Sequence, residues 1–236
     1  MQKRSQSVKN IPERKSARSV VKSMKEEEQF IELCKIMDIL LGKNGCPWDK
    51  AQTHMTLRPH LLEESYEVVD AIDNNDMDAL REELGDLLLH VIIHSRIAEK
   101  EKHFSLADVI GNLTEKLVRR HTHIFAGDAA LSPADGEATW EANKIKEKEI
   151  STPLENMQAV PKALPALARA QKVIKRSAKD FCEEEIIKEL RLMLNKENLE
   201  NCGRFLFLIT ALLTKMQINA EFSLTNTTQE FINSFK

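Results

Sequence analysis

Between Met77 and Glu101 the sequence places Leu80, Leu84, Leu87, Leu88, Val91 and Ile92 at intervals of three and four. That is the period of one helix face, held for nearly four turns, and it excludes a strand, whose period is two. A helix of that length must lay its apolar stripe against other helices or a sheet. The rest of the chain offers helices. Gly and Pro number only 7 each in 236 residues and aromatics make up 5%, too few turn and strand residues for a sandwich, a barrel or a dinucleotide-binding α/β fold. Charged residues at 30% and hydrophobics at 42% suit amphipathic helices. The sequence therefore predicts an all-α helical bundle, in one large domain or two small ones. A chain of this size buries roughly 70% of its unfolded surface without staples. No apolar run reaches the 18 residues of a membrane span.

The remaining elements follow the same pattern. Phe30, Leu33, Ile36, Met37, Ile39, Leu40 and Leu41 mark a helix over 26–42, stopped by Gly42, Gly45 and Pro47. Residues 46–57 read as an ordered loop. A second helix runs from about Pro59 to Ile72, and the polar turn DNNDMD offers Asn75 and Asp76 as caps for the helix from Met77. Ser105 caps a fourth helix ending near His121. Residues 125–137 form a loop, after which Ser132 and Pro133 lead into a helix with Trp140. Three prolines over 151–165 predict a linker, and further helices include 183–195 and 200–217.

Charge is uneven. Residues 1–25 carry eight of the 34 Lys/Arg and one of the 37 acids, a net +7; the remainder is −10. A disordered basic tail is the expectation, with nucleic-acid contact a lesser alternative. Met24, directly before the first periodic segment, leaves the true start open. The tail lacks the apolar centre of a secretory signal. The acidic body makes a general nucleic-acid binder unlikely in composition. Cys34, Cys46, Cys182 and Cys202 form no C-x-x-C pair, which fits a reducing, cytoplasmic setting.

The chain repeats itself at a shift of 118 residues. Glu82 to Leu89 falls on Glu200 to Phe207, and Phe104-Ser105-Leu106 falls on Phe222-Ser223-Leu224. Apolar positions persist while acids do not: Glu83 meets Asn201 and Asp86 meets Arg204. Two related helical units are expected, the second truncated and without the first one's chemistry. Chance similarity of amphipathic helices is the alternative.

That chemistry lies in two acid pairs. Glu64 and Glu67 share one face of the second helix, Glu83 and Asp86 one face of the third. Like charges at this spacing repel by up to about 0.5 kcal/mol per exposed pair. A short turn makes the two helices antiparallel, so the acid faces can converge. Four carboxylates together call for a cation, and oxygen-only donors indicate Mg²⁺ or Mn²⁺. A solvated acidic surface is the alternative for either pair alone. Leu61, Leu62, Val68, Val69 and Ile72, with Leu84, Leu87, Leu88 and Val91, mark the expected buried sides. Gly85 inside the helix costs about 1 kcal/mol relative to Ala. Close approach of a neighbour or ligand would explain it, as would loose packing. His90 and His94 are expected to pack.

The residues carry a resemblance. Gly45-Cys46-Pro47-Trp48-Asp49, Gln52-Thr53-His54, Leu62 to Glu67, Glu82 to Leu88, Lys116 to His121 and Leu164 to Lys172 together resemble the MazG family of all-α nucleoside triphosphate pyrophosphohydrolases. The likeness runs from about residue 28 to 178 and more weakly beyond. It implies a Mg²⁺-dependent enzyme, with Mn²⁺ a substitute, that cuts NTPs or dNTPs to the monophosphate and pyrophosphate. Glu64, Glu67, Glu83 and Asp86 would hold metal. Lys116, Arg119 and Arg120 would meet phosphates, and Trp140 and Lys144 the nucleotide. Glu63 or Glu82 could accept the water's proton, or be salt-bridged instead. The expected organisation is a tail over 1–25, a catalytic domain over 26–150, a linker over 151–165 and a noncatalytic repeat over 166–236. Uncovered helix faces would pair in a homodimer. The rival is a noncatalytic helical module that binds nucleotide or a protein.

Overall fold

A computed structural model describes residues 25–126, 132–149, 152–177, 179–194 and 202–234. Among these residues every regular element is a helix; the all-α expectation holds. The basic tail, apart from Lys25, and Asn201 lie outside the described residues. The chain divides into two compact units between Lys116 and Leu117.

The first unit opens with α1 (Glu26–Leu41) and α2 (Pro47–Ala51). Gly45 lets the chain fold back between them, since a Cβ there would collide with the carbonyl oxygens of Ile39 and Leu40. The loop expected over 46–57 is largely helical, because Pro47 starts one turn and Thr53 starts the next helix. Thr53 Oγ1 accepts the Thr56 N–H at 3.2 Å while its own N–H donates to Thr56 Oγ1 at 2.9 Å, a reciprocal cap. Hence α3 runs His54–Asp73 and carries Pro59 inside it.

Asn75 adopts a left-handed φ of 53°, which Asn tolerates better than most residues. Asp76 then caps α4 (Met77–Lys100), its Oδ1 accepting the Asp78 and Ala79 N–H groups at 3.1 and 3.0 Å. Ser105 Oγ likewise accepts the Asp108 N–H at 3.2 Å at the start of α5 (Leu106–Arg120). The core gathers Met37, Leu57, Ile92, Ile93 and Leu106, with Phe30, Leu33 and Ile97 around it.

The buried face of α4 matches the expected one only in part, with Ile92 fully buried and Leu80 and Leu87 half-buried. Leu84 is 51% and Val91 44% exposed, and Leu61, Leu62, Ile72 and Leu88 also face out. The side packed toward α3 instead carries half-buried Glu83, Asp86 and Leu87 and buried His90. The acids occupy the helix–helix seam, and the leucines beside them are left uncovered within one chain.

The second unit holds α6 (Thr122–Phe125), α7 (Pro133–Glu147), α8 (Pro153–Gln158), α9 (Ala166–Arg176), α10 (Glu183–Leu194), α11 (Cys202–Lys215) and α12 (Ala220–Asn233). Helix α8 lies in the segment read as a linker. Thr152 and Glu155 cap it reciprocally at 3.2 and 3.1 Å, Pro153 supplies its first residue, and Val160 beyond it is buried. Ile174, Ile186, Leu208 and Ala211 form this unit's core. No single helix among the described residues is long and apolar enough to cross a membrane.

Candidate active site

Helices α3 and α4 run antiparallel across a three-residue turn, and histidines help fix their register. His54, at the start of α3, meets His94 on α4 with Nδ1 atoms 2.7 Å apart and rings stacked at 5.0 Å. Such a contact requires one ring to donate and the other to accept, so at least one is neutral. His90 stacks on His94 at 5.9 Å. Burial holds both His90 and His94 below the usual histidine range, helped by His60 and His54 respectively. These are packing roles, as expected of His90 and His94. The spacing of those two on one helix was visible in the sequence, but nothing local indicated His54, forty residues away.

Ten residues further along α3 stands Glu64, and Glu83 and Asp86 face it from α4. Carboxylate oxygens of all three lie within 4.8 Å of one another. Hydrogen bonds link Glu64 to Glu67 and to Glu83. The structure thus brings together three of the four acids singled out for metal, Glu64, Glu83 and Asp86, with Glu67 exposed nearby on α3. Burial, the Glu67 hydrogen bond and the negative charges of Asp86, Glu67 and Glu83 push the Glu64 carboxyl up to about 7. Burial and the charges of Glu67, Asp86 and Glu82 raise Glu83 as well. Burial first, and then mutual crowding, favour the protonated form of these acids, and a divalent cation would relieve the same repulsion. The donor set, oxygen alone, fits a hard divalent metal.

Glu63 and Glu82 stand outside this trio. Both are exposed. Glu63 pairs with His60 Nδ1 at 3.5 Å, and His60 meets the Trp48 ring edge-on at 6.4 Å. In α2, the Trp48 carbonyl accepts from Gln52 Nε2 at 3.0 Å.

The basic residues expected to meet the nucleotide sit at the end of α5 and on α7. Lys116 is half-buried and pairs with no acid among the described residues. Arg120 is 8% exposed; its Nε donates to Glu147 Oε2 at 2.9 Å and its guanidinium lies 5.0 Å over the Trp140 ring. His121 flanks the same ring at 4.8 Å. Arg119 reaches Glu147 at 3.4 Å. Lys144 binds Glu141 at 2.6 Å. Trp140 is therefore packed between two neighbours, and Arg120 and Lys144 have acid partners of their own.

Among the described residues, which form helices only, carboxylates clustered on two antiparallel helices make a possible site for a divalent metal. A family model of the MazG nucleotide pyrophosphohydrolase domain matches residues 52–125, which contain all four acids. The nucleoside triphosphate pyrophosphohydrolase of Escherichia coli K12 is 36% identical over 211 residues, covering 82% of this chain and 80% of that protein. The Thermotoga maritima nucleoside triphosphate pyrophosphohydrolase/pyrophosphatase MazG is 36% identical over 219 residues, 88% of this chain and 84% of the relative. The uncharacterized protein YabN of Bacillus subtilis is 44% identical over 156 residues, but this chain spans only 32% of its length. The chain belongs to the MazG family.

Proposed function

We propose that this chain hydrolyses nucleoside triphosphates, NTP or dNTP, to the monophosphate and pyrophosphate, with Mg²⁺ as its metal and Mn²⁺ as a substitute. One observation carries the reading: Glu64, Glu83 and Asp86 present carboxylate oxygens within 4.8 Å of one another, on the helices that the family model covers. Glu67, hydrogen-bonded to Glu64, completes the ligand set. Bound there, the metal would supply charge to draw in a triphosphate, acidify a water and stabilise the departing pyrophosphate.

The chain's own residues supply the rest. Glu82 lies beside Glu83, open to solvent, where it can take a proton from an attacking water; Glu63, engaged with His60, is the other candidate. Lys116, which has no acid partner among the described residues, is suited to a phosphate. Arg119, Arg120, Trp140 and Lys144 remain nucleotide-binding candidates through the family resemblance, and Arg120 and Lys144 would have to share their present acid partners with it. The catalytic region runs to about residue 150 and the part from 166 is a noncatalytic repeat. The enzyme works in the cytoplasm, consistent with four free cysteines, and as a homodimer that covers Leu84, Leu88 and Val91 on α4.

The test is product analysis with ATP or dTTP. Monophosphate and pyrophosphate should appear together, disappear with EDTA and return with Mg²⁺ or Mn²⁺. Diphosphate with orthophosphate, or no turnover at all, would overturn the proposal.

A further inference from the structure

The segment Leu164 to Lys172, part of the family resemblance, has no task in the site above. In the structure it forms one wall of a cavity of about 560 Å³ wholly inside the second unit, between α7, α8, α9 and the corner of α11 and α12. That volume lies in the range of small-molecule sites.

The wall is firmly built. Gln171, buried, donates to the Ile218 carbonyl at 2.7 Å and Thr214 Oγ1 at 3.3 Å, and its Oε1 accepts the Ala220 N–H at 2.8 Å. Every polar atom of this side chain is therefore committed to joining α9 to the α11–α12 corner.

The lining is cationic. Lys144, Lys172, Lys175 and Arg176 face it against two acids, Glu137 and Glu141. Glu141 is already held by Lys144. Burial alone would raise its carboxyl, but the hydrogen bond and charge of Lys144, with Arg176 and Arg120, bring it below the usual range. Lys172 and Lys175 are exposed and carry no ion pair among the described residues. Arg176 is the sharpest sign. Its side chain is only 13% exposed, yet its nearest acid is 3.9 Å away. Among the described residues its one hydrogen bond, 3.3 Å, goes to the Asn156 carbonyl. A guanidinium offers five N–H donors in a fixed fork, so most of this one's capacity is unspent beside an open cavity. Leu164, Ile145 and Ile218 add an apolar surface to the same space.

We infer that this cavity binds a nucleoside phosphate, its phosphate on Arg176, Lys172 and Lys175 and its nucleoside against the apolar wall. The cations select an anion, and the volume and apolar surface exceed what a bare anion needs. The cavity is lined by residues of the second unit alone, and none of the four acids of α3 and α4 is among them. Only Lys144 is shared with the proposed substrate set, so the inference stands or falls without the metal chemistry.

Calorimetric titration of the full chain with AMP in EDTA tests it, because no turnover occurs there. AMP should bind saturably and adenosine at least tenfold more weakly. The double variant Lys172→Ala/Lys175→Ala should weaken AMP by about tenfold or more, as expected when charge-assisted hydrogen bonds are lost. Among the described residues neither lysine has a partner whose loss would disturb folding, and circular dichroism checks that. Glu83→Gln should leave AMP binding unchanged. Absence of saturable binding, equal binding of adenosine, or indifference to the double variant would overturn the inference. So would loss of binding in Glu83→Gln, which would place AMP at the acidic cluster. If AMP binds as described while no pyrophosphate is ever released from NTPs, the cavity stands and the hydrolase reading fails.

Discussion

Two antiparallel helix pairs carry opposite electrostatics. In the first unit, α3 and α4 bring Glu64, Glu83 and Asp86 together, and burial with mutual repulsion lifts Glu64 to about 7. In the second unit, α10 and α11 bring Glu189 and Arg204 together as a two-pronged pair, Nε to Oε1 at 2.9 Å and Nη2 to Oε2 at 3.0 Å. The hydrogen bond from Arg204 holds Glu189 below the usual carboxylate range, and Arg204 rises in turn. Arg204 is the residue that a 118-residue shift lays on Asp86. Similar helix pairs thus end with an excess of negative charge in one unit and a self-neutralised pair in the other. The first is a possible site for a cation from outside; in the second, Arg204 already supplies the positive charge.

The largest expected effect breaks the first half of this contrast. Glu83→Gln keeps the shape and removes a charge from the cluster. Pyrophosphate release should fall at least a hundredfold, since even residues that only orient metal ligands cost about 10–100-fold, while circular dichroism stays unchanged. A folded variant with substantial turnover would move catalysis elsewhere.

Next is the pH dependence of the metal-free chain. The folded protein keeps the Glu64 proton up to about pH 7, whereas an ordinary glutamate releases it near 4.5. Between those values the folded state binds more protons than the unfolded one, so stability falls as pH rises through the window. In EDTA the Tm should drop from pH 5 to pH 8. Mg²⁺ at pH 8 should recover it, and Glu64→Gln should flatten the slope. A Tm in EDTA that rises over this range would show that the acids do not repel as described.

What the sequence made legible follows from the range of each interaction. The acid pairs are local, three residues apart, and a short turn set their helices antiparallel, so their convergence could be read directly. The capping of α2 and α3 was missed because Pro47 was read as a breaker and Pro59 as a first helical residue, whereas the reciprocal Thr53–Thr56 cap starts α3 one turn earlier. The buried face of α4 was misassigned in part because hydrophobicity alone chose Leu84, Leu88 and Val91, while the helix seam is taken by Glu83, Leu87 and His90. Long-range pairs such as His54–His94, Arg120–Glu147 and Glu189–Arg204 depend on tertiary register and left no local mark. The expected assignment of Trp140 and Lys144 to the nucleotide did not foresee that Arg120 and Glu141 already engage them.

A smaller effect sharpens the question of what covers α4. Gly85 and Gly203 occupy matching positions in the repeat, and a Cβ on either meets nothing within 4 Å among the described residues. In an isolated helix each Gly→Ala change should add about 1 kcal/mol. Gly203→Ala should show that gain as a raised Tm. Gly85→Ala should instead weaken the dimer in sedimentation, because a partner lying on Leu84 and Leu88 would meet the added methyl. Equal stabilisation by both, with no change of assembly state, would mean that nothing approaches Gly85.

The smallest effect belongs to Arg204. Its side chain and that of Glu189 are 47% and 42% exposed, and exposed ion pairs contribute about 0.2–1 kcal/mol. Arg204→Ala should therefore lower stability by less than about 1 kcal/mol and leave pyrophosphate release unchanged. The residue neutralises Glu189 and does no chemistry. Removing it frees one carboxylate, and one exposed carboxylate does not make a metal site, so no new activity should appear in Mg²⁺. If turnover collapsed in a folded Arg204→Ala protein, the second unit would be supplying a group to the reaction. The contrast between a charged site and a silenced one would then be wrong at its silent end.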